Sequence, residues 1–235
     1  IEVTDKMEFD AKKFFWWRAY KEFGTGVAGD LYIHLLSGTH FITNSKGPEN
    51  IYSTGQFSYW NDGRNMPDVM SGVMQYPKSE EHPAFQLNLR VNFISGTGGQ
   101  EIIQLIGSEG TITINRNDIT VGYSKMPEAP GFGGYDSVFT FSEKMQDKMT
   151  ADYNAKWTEA QQKRHPKGDI IYKAPEGYSD HLDHFTNFFD AIRSGKEVVE
   201  DAEFGFRAAA PALACNTSYF DKKIMNWDPV KMKLV

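Results

Sequence analysis

FQLNLRVNF, residues 85–93, decides the fold class. Phe85, Leu87, Leu89, Val91 and Phe93 alternate with Gln86, Asn88, Arg90 and Asn92. A period of two with one apolar and one polar side is the pattern of a half-buried strand. Working outward, GTGG (96–99) supplies a turn, and EIIQLIG (101–107) and GTITINR (110–116) follow as two strands of a tight hairpin. DITVGY (118–123) adds one more strand. Upstream, VMSGVMQY (69–76) and IYSTGQFSYW (51–60) are strand-like too. Short turns join neighbours, so the expected sheet is mainly antiparallel.

Helices flank that sheet on both sides in sequence. Asp10 is placed to cap a short helix carrying FFWWRAY (14–20), and a second helix is expected over about 27–44. Residues 124–140, rich in Gly and Pro, read as irregular, 142–164 as a polar solvent-facing helix and 165–178 as loop. A strong amphipathic helix starts at Ser179, with Leu182, Phe185, Phe189 and Ile192 on one stripe and Gly195 at its C-terminal stop. The last helix, about 203–220, is alanine-rich, and Pro211 is expected to kink or restart it. Residues 1–5 read as a strand. The architecture expected is α+β, an open and mainly antiparallel sheet with helices packed on one face. Residues 1–235 are read as one domain with a polar helix and loop insertion at about 124–178.

Composition narrows the function classes. The net charge is −6, with no bank of Lys and Arg, so a nucleic-acid footprint is not expected. No apolar run is long enough for a membrane helix. The single cysteine, Cys215, lies in the apolar run AAAPALAC, which reads as a buried thiol and excludes an internal disulfide or a cysteine zinc site. The expected compartment is the cytoplasm, with the periplasm the alternative. The chain opens at Ile1 without an initiator Met, which reads as a piece of a longer product.

Asp30 and His34 stand four residues apart, and on a helix they share one face. A carboxylate beside an imidazole can orient the ring and raise its basicity, which suits proton transfer or the binding of sugar hydroxyls. The loop YWNDGRNMPD (59–68) offers Trp60, Asn61, Asp62 and Arg64 to a polyhydroxyl ligand. Trp17, Arg18 and Tyr20 offer the same chemistry from the first helix, and His184 from the amphipathic one. No H-E-x-x-H is present, so no metal site is assigned. No G-x-G-x-x-G follows a strand, so no cofactor-binding residues are assigned in this chain.

These segments in order resemble the C-terminal domain of the glucose–fructose oxidoreductase / inositol dehydrogenase / rhizopine-catabolism (Gfo/Idh/MocA) family. YKEFGTGVAGDLYIHLLSGTHFI (20–42) carries its glycine-rich approach to Asp-x-x-x-His. QEIIQLIGSEGTITI (100–114) is similar to its strand-turn-strand, and HLDHFTNFFDAIRSGKEVVEDAEFGFRAA (181–209) to its closing helices. The chain departs from the pattern at Tyr32, where many members have glycine. The resemblance implies an N-terminal Rossmann domain, absent here, that supplies NAD or NADP and a catalytic lysine. It further implies catalytic roles for His34 and Asp30, a sugar-like substrate and a homo-oligomer built through the sheet. The expected function is substrate binding and oligomerisation in an NAD(P)-dependent oxidoreductase acting on a sugar, cyclitol or polyol by hydride transfer. An NAD-dependent glycosidase domain and a non-enzymatic carbohydrate-binding or assembly module are the alternatives. No cofactor is expected on the isolated chain.

Overall fold

A computed structural model describes residues 7–116 and 118–235. The strand expected at 1–5 lies outside them. The described residues form two compact units: the chain up to Gly99 together with His181–Val235, and Gln100–Asp180.

In the first unit, α1 (Ala11–Phe15) is capped by Asp10, whose carboxylate accepts the Lys13 N–H at 3.1 Å. It ends sooner than the sequence suggests, and a 3₁₀ turn, Trp17–Ala19, takes over. A π-helical turn, Ala28–Tyr32, runs directly into α2 (Ile33–Thr43). Strands β1 (Asn50–Gln56), β2 (Val69–Tyr76) and β3 (Phe85–Asn92) form the meander read from the sequence. After α5 (Asp180–Ser194) and α6 (Ala202–Asp221), two strands not foreseen, β8 (Met225–Asp228) and β9 (Lys233–Leu234), complete a sheet of order β3-β2-β1-β8-β9. All its pairings are antiparallel.

One face of this sheet is buried. Ile51 pairs with Met74 and Met74 with Leu87, and this row with Met70, Tyr76 and Leu89 meets Tyr32 and Leu36 from the helix side and Ala208, Ala212 and Cys215 from α6. The alanines of α6 let that helix lie close, as small side chains do. Pro211 sits buried inside α6, and the helix runs through it without restarting. The missing N–H costs one hydrogen bond, and packing of the flanking alanines offsets it. Ser218 fastens α6 to the sheet: its Oγ accepts the Ser53 N–H at 2.9 Å and donates to Lys223 O at 2.7 Å. Cys215 is fully buried, and burial pushes its thiol up to about 12.

The second unit is a separate four-stranded antiparallel sheet: β4 (Ile103–Gly107), β5 (Gly110–Ile114), β6 (Asp118–Lys125) and β7 (His165–Lys173) in sequential order. The expectation of loop over 165–178 is therefore corrected for 165–173, while 174–178 are turn and irregular chain. Gly168 takes φ of +84° and the register shifts between Tyr123 and Ser124, which masks the strand period in sequence. The register aligns Ile103, Ile114, Ile119 and Tyr172 in one cross-strand row and Leu105, Ile112, Val121 and Ile170 in another. Rows two residues apart share a face, so one side of the sheet is apolar. None of these side chains is buried, and Tyr172 is 55% exposed. Between β6 and β7 the polar α3 (Glu143–Lys156) and α4 (Glu159–Gln162) fold on local contacts. Phe132 stacks on Tyr153 at 4.7 Å, and Thr158 with Gln161 forms a capping box.

Candidate functional site

The candidate site lies in the first unit, where the glycine-rich approach meets the turn after α1. Gly24 packs against the chain there: a Cβ on it would stand 2.7 Å from Arg18 Cα and 3.0 Å from Trp17 O. Gly26 takes φ of +57°, the left-handed region that side chains disfavour. These two residues fold the 20–26 segment back along residues 17–19. Asn216 of α6 fixes the end of the turn, its Nδ2 donating to Thr25 O at 2.7 Å. The chain then enters the π-helical turn that carries Asp30.

The wider π turn places residues four apart nearly in line, because its bonds span five residues rather than four. Asp30 and His34 thus occupy one side of the 28–43 helix, as the sequence spacing requires. Asp30 is half-buried and His34 exposed. No hydrogen bond joins them among the described residues. The partner of Asp30 is Arg18, whose Nε lies 3.4 Å from Asp30 Oδ2. Trp17 supports that guanidinium, whose carbon stands 4.2 Å from the centre of the indole. His40, also on α2, faces the opposite way: it is 1% exposed, and its Nε2 lies 2.9 Å from the Tyr76 hydroxyl.

The 59–68 loop is built on Asp68, which the sequence reading quoted without assigning it a part. Its buried carboxylate accepts the N–H groups of Ser58 at 2.8 Å, Tyr59 at 3.0 Å and Trp60 at 3.3 Å. A carboxylate at the end of a polar loop, followed at once by a strand, is the signal that could have found it. Asn65 ties the loop to the first segment. Its Oδ1 accepts the Lys21 N–H at 2.6 Å, its Nδ2 reaches both Glu22 oxygens at 3.1 Å, and its own N–H donates to Ala19 O at 3.2 Å. Lys12 adds a bond to the Asp62 carbonyl. The loop and the Trp17–Tyr20 turn are therefore one local structure.

Within it, several ligand-facing expectations acquire different surroundings. Asp62 and Arg64 are committed to each other, with Nε–Oδ1 and Nη2–Oδ2 bonds both of 2.8 Å. The Arg64 hydrogen bonds hold the Asp62 carboxyl well below the usual carboxylate range. Arg64 also lies over the Trp60 ring at 4.8 Å. Tyr20 is 5% exposed and has little surface to offer a ligand. Asn61 and Trp17 are exposed and Trp60 half-buried. His184 stands exposed on α5, edge-on to Phe185 at 5.9 Å, and no hydrogen bond or ion pair among the described residues joins it to the Asp30–Arg18 pair.

No three His, Cys, Asp or Glu side chains gather as a metal site among the described residues, and no described helix is long and apolar enough to cross a membrane. The GTGG segment follows β3 in irregular chain and leads to β4 rather than to a helix. It lacks the helix N-terminus that receives a dinucleotide pyrophosphate.

An antiparallel α+β unit with an Asp-x-x-x-His turn behind a glycine-rich approach defines the class. The sequence pattern of the oxidoreductase family, C-terminal alpha/beta domain, matches residues 2–231, and the chain belongs to that domain of the Gfo/Idh/MocA oxidoreductases. Solved structures share the fold. An oxidoreductase from Agrobacterium radiobacter in complex with NAD+, L-tartaric acid and magnesium has 15% identity over 96% of this chain and 55% of that one, with a TM-score of 0.58. An NAD-binding oxidoreductase from Klebsiella pneumoniae has 15% identity over 89% and 53%, with a TM-score of 0.57. An aldose-aldose oxidoreductase from Caulobacter crescentus complexed with glycerol has 11% identity over 94% and 52%, with a TM-score of 0.56. The chain spans about half the length of these proteins. No curated protein sequence matches it.

Proposed function

We propose that this domain is the substrate side of an NAD(P)-dependent oxidoreductase that oxidises a sugar, cyclitol or related polyol. The observation that carries the reading is the exposed His34, one turn after an Asp30 already engaged by Arg18. An exposed imidazole can reach a substrate hydroxyl and take its proton at a ring nitrogen. Asp30, charge-compensated by Arg18, accepts hydrogen bonds from neighbouring hydroxyls. Trp17, Trp60 and Asn61 offer ring faces and an amide to the rest of the molecule. When bound, the nicotinamide cofactor supplies the hydride acceptor. The groups that hold it belong to an N-terminal Rossmann domain, which is the first partner in this reading. The apolar stripe of α5, with Phe185, Phe189 and Ile192 all exposed, offers surface for that contact.

The second partner is another copy of the chain. The uncovered apolar rows of the β4–β7 sheet support oligomerisation through that face, since monomers rarely leave so continuous an apolar surface in water.

The test is an assay of the longer product containing this domain, with NAD or NADP and a panel of sugars, cyclitols and polyols. Reduced nicotinamide accumulating with a polyol supports the reading. Release of an aglycone without net reduction moves the protein to the glycosidase class, and sugar binding without either reaction makes it a binding module.

A further inference from the structure

We infer that the substrate of this site carries a carboxylate, held by Arg18. The inference rests on the polyol reading above and narrows it to acidic members such as uronates and aldonates. Arg18 is anchored on two sides. Its Nε edge faces Asp30 at 3.4 Å, and its plane lies over the Trp17 indole at 4.2 Å. Among the described residues, neither of its terminal nitrogens has a hydrogen-bond partner, and its side chain is 62% exposed. A guanidinium fixed this way presents a two-pronged donor edge that matches a carboxylate, with much of the ordering cost already met.

Arg64 and Lys12 are less suited. Arg64 spends its fork on Asp62, and Lys12 is held by the Asp62 carbonyl and carboxylate. Residues 11–21 contain Lys12, Lys13, Arg18 and Lys21, and of these cations Lys12 faces Asp62 while Lys13 and Lys21 act on Glu22. Asp30 meets the Nε edge, which leaves the terminal edge of the guanidinium to a substrate carboxylate.

The experiment is ligand titration of this chain by calorimetry and saturation-transfer NMR with three matched pairs: D-glucose and D-glucuronate, D-galactose and D-galacturonate, sorbitol and D-gluconate. In at least one pair the acid is expected to bind about tenfold more tightly, the scale of a charge-assisted bidentate contact. Arg18→Lys, which keeps the charge and loses the fork, is expected to reduce the preference to about twofold. Arg18→Gln is expected to remove it. Circular dichroism confirms that both variants fold. Equal binding of acid and neutral sugar in every pair overturns the carboxylate inference and leaves the polyol reading standing. A preference that survives Arg18→Gln assigns it to the neighbouring lysines and also overturns the inference. Failure of all six probes to bind overturns this inference and leaves the polyol reading to the assay of the longer product.

Discussion

Arg18 and Asp30 meet across the glycine-rich approach, Nε to Oδ2 at 3.4 Å, and Gly24 sets the fold-back that lets them do so. A methyl group on Gly24 would stand 2.7 Å from Arg18 Cα, which is backbone and cannot swing aside. Gly24→Ala is therefore expected to shift residues 17–19 and cost about 1–3 kcal/mol, the scale of overpacking. Chemical denaturation measures the loss. An unchanged midpoint would show that the turn is looser than its contacts imply.

Asp68 is expected to hold the 59–68 loop through its three backbone N–H groups. Asp68→Ala leaves those donors without their acceptor and is expected to cost about 2–4 kcal/mol. Asp68→Asn keeps one acceptor oxygen and is expected to cost about half as much. Denaturation of the two variants, with tryptophan fluorescence reporting on Trp60, separates the cases.

The apolar face of the second sheet gives a prediction about assembly. Val121→Lys and Ile170→Glu each place a charge in a row of apolar neighbours. Either is expected to shift a dimer or higher oligomer to monomer in sedimentation velocity, because a charge at a desolvated interface is costly. An assembly unchanged by both variants would locate the oligomer contact elsewhere.

His40 gives a pH dependence. Burial, with smaller contributions from Arg207 and His82, lowers its pKa from 6.5 to about 4. The folded state then binds fewer protons than the unfolded chain between those values. Stability is complete above pH 6.5 and is lost as pH falls towards 4, at up to about 1.4 kcal/mol per pH unit. Urea denaturation at pH 7 and pH 5 is expected to show a drop of about 2 kcal/mol from this group. His40→Gln is expected to flatten that slope. A wild-type slope that persists in the variant would assign it to other groups.

What was legible in the sequence follows from which signals are local. Strand alternation placed β2 and β3 to within a residue, since Phe85, Leu87 and Leu89 must face one way whatever surrounds them. The Asp10 cap, the Gly195 stop at φ of +67° and the buried Cys215 are local in the same sense. The division of the strands between two sheets was not legible, because hairpin patterns say which strands are neighbours and not where a sheet ends. β7 was hidden by Gly168 and by the register shift beside it, which leaves Lys167 unpaired in the ladder. β8 depends on β1 for pairing and β9 on β8, and both carry little period of their own. At the site, spacing gave the shared side of Asp30 and His34. It could not give the Arg18 partner of Asp30 or the mutual commitment of Asp62 and Arg64, which arise where separate segments meet.

The central claim is that His34 handles the substrate proton. Its most direct test is the steady-state turnover of the longer, cofactor-binding product with His34→Ala at saturating NAD or NADP and polyol. The account expects kcat to fall by about 10² or more, the usual scale for losing acid–base help, with cofactor affinity unchanged. Turnover equal to that of the unsubstituted protein would contradict it.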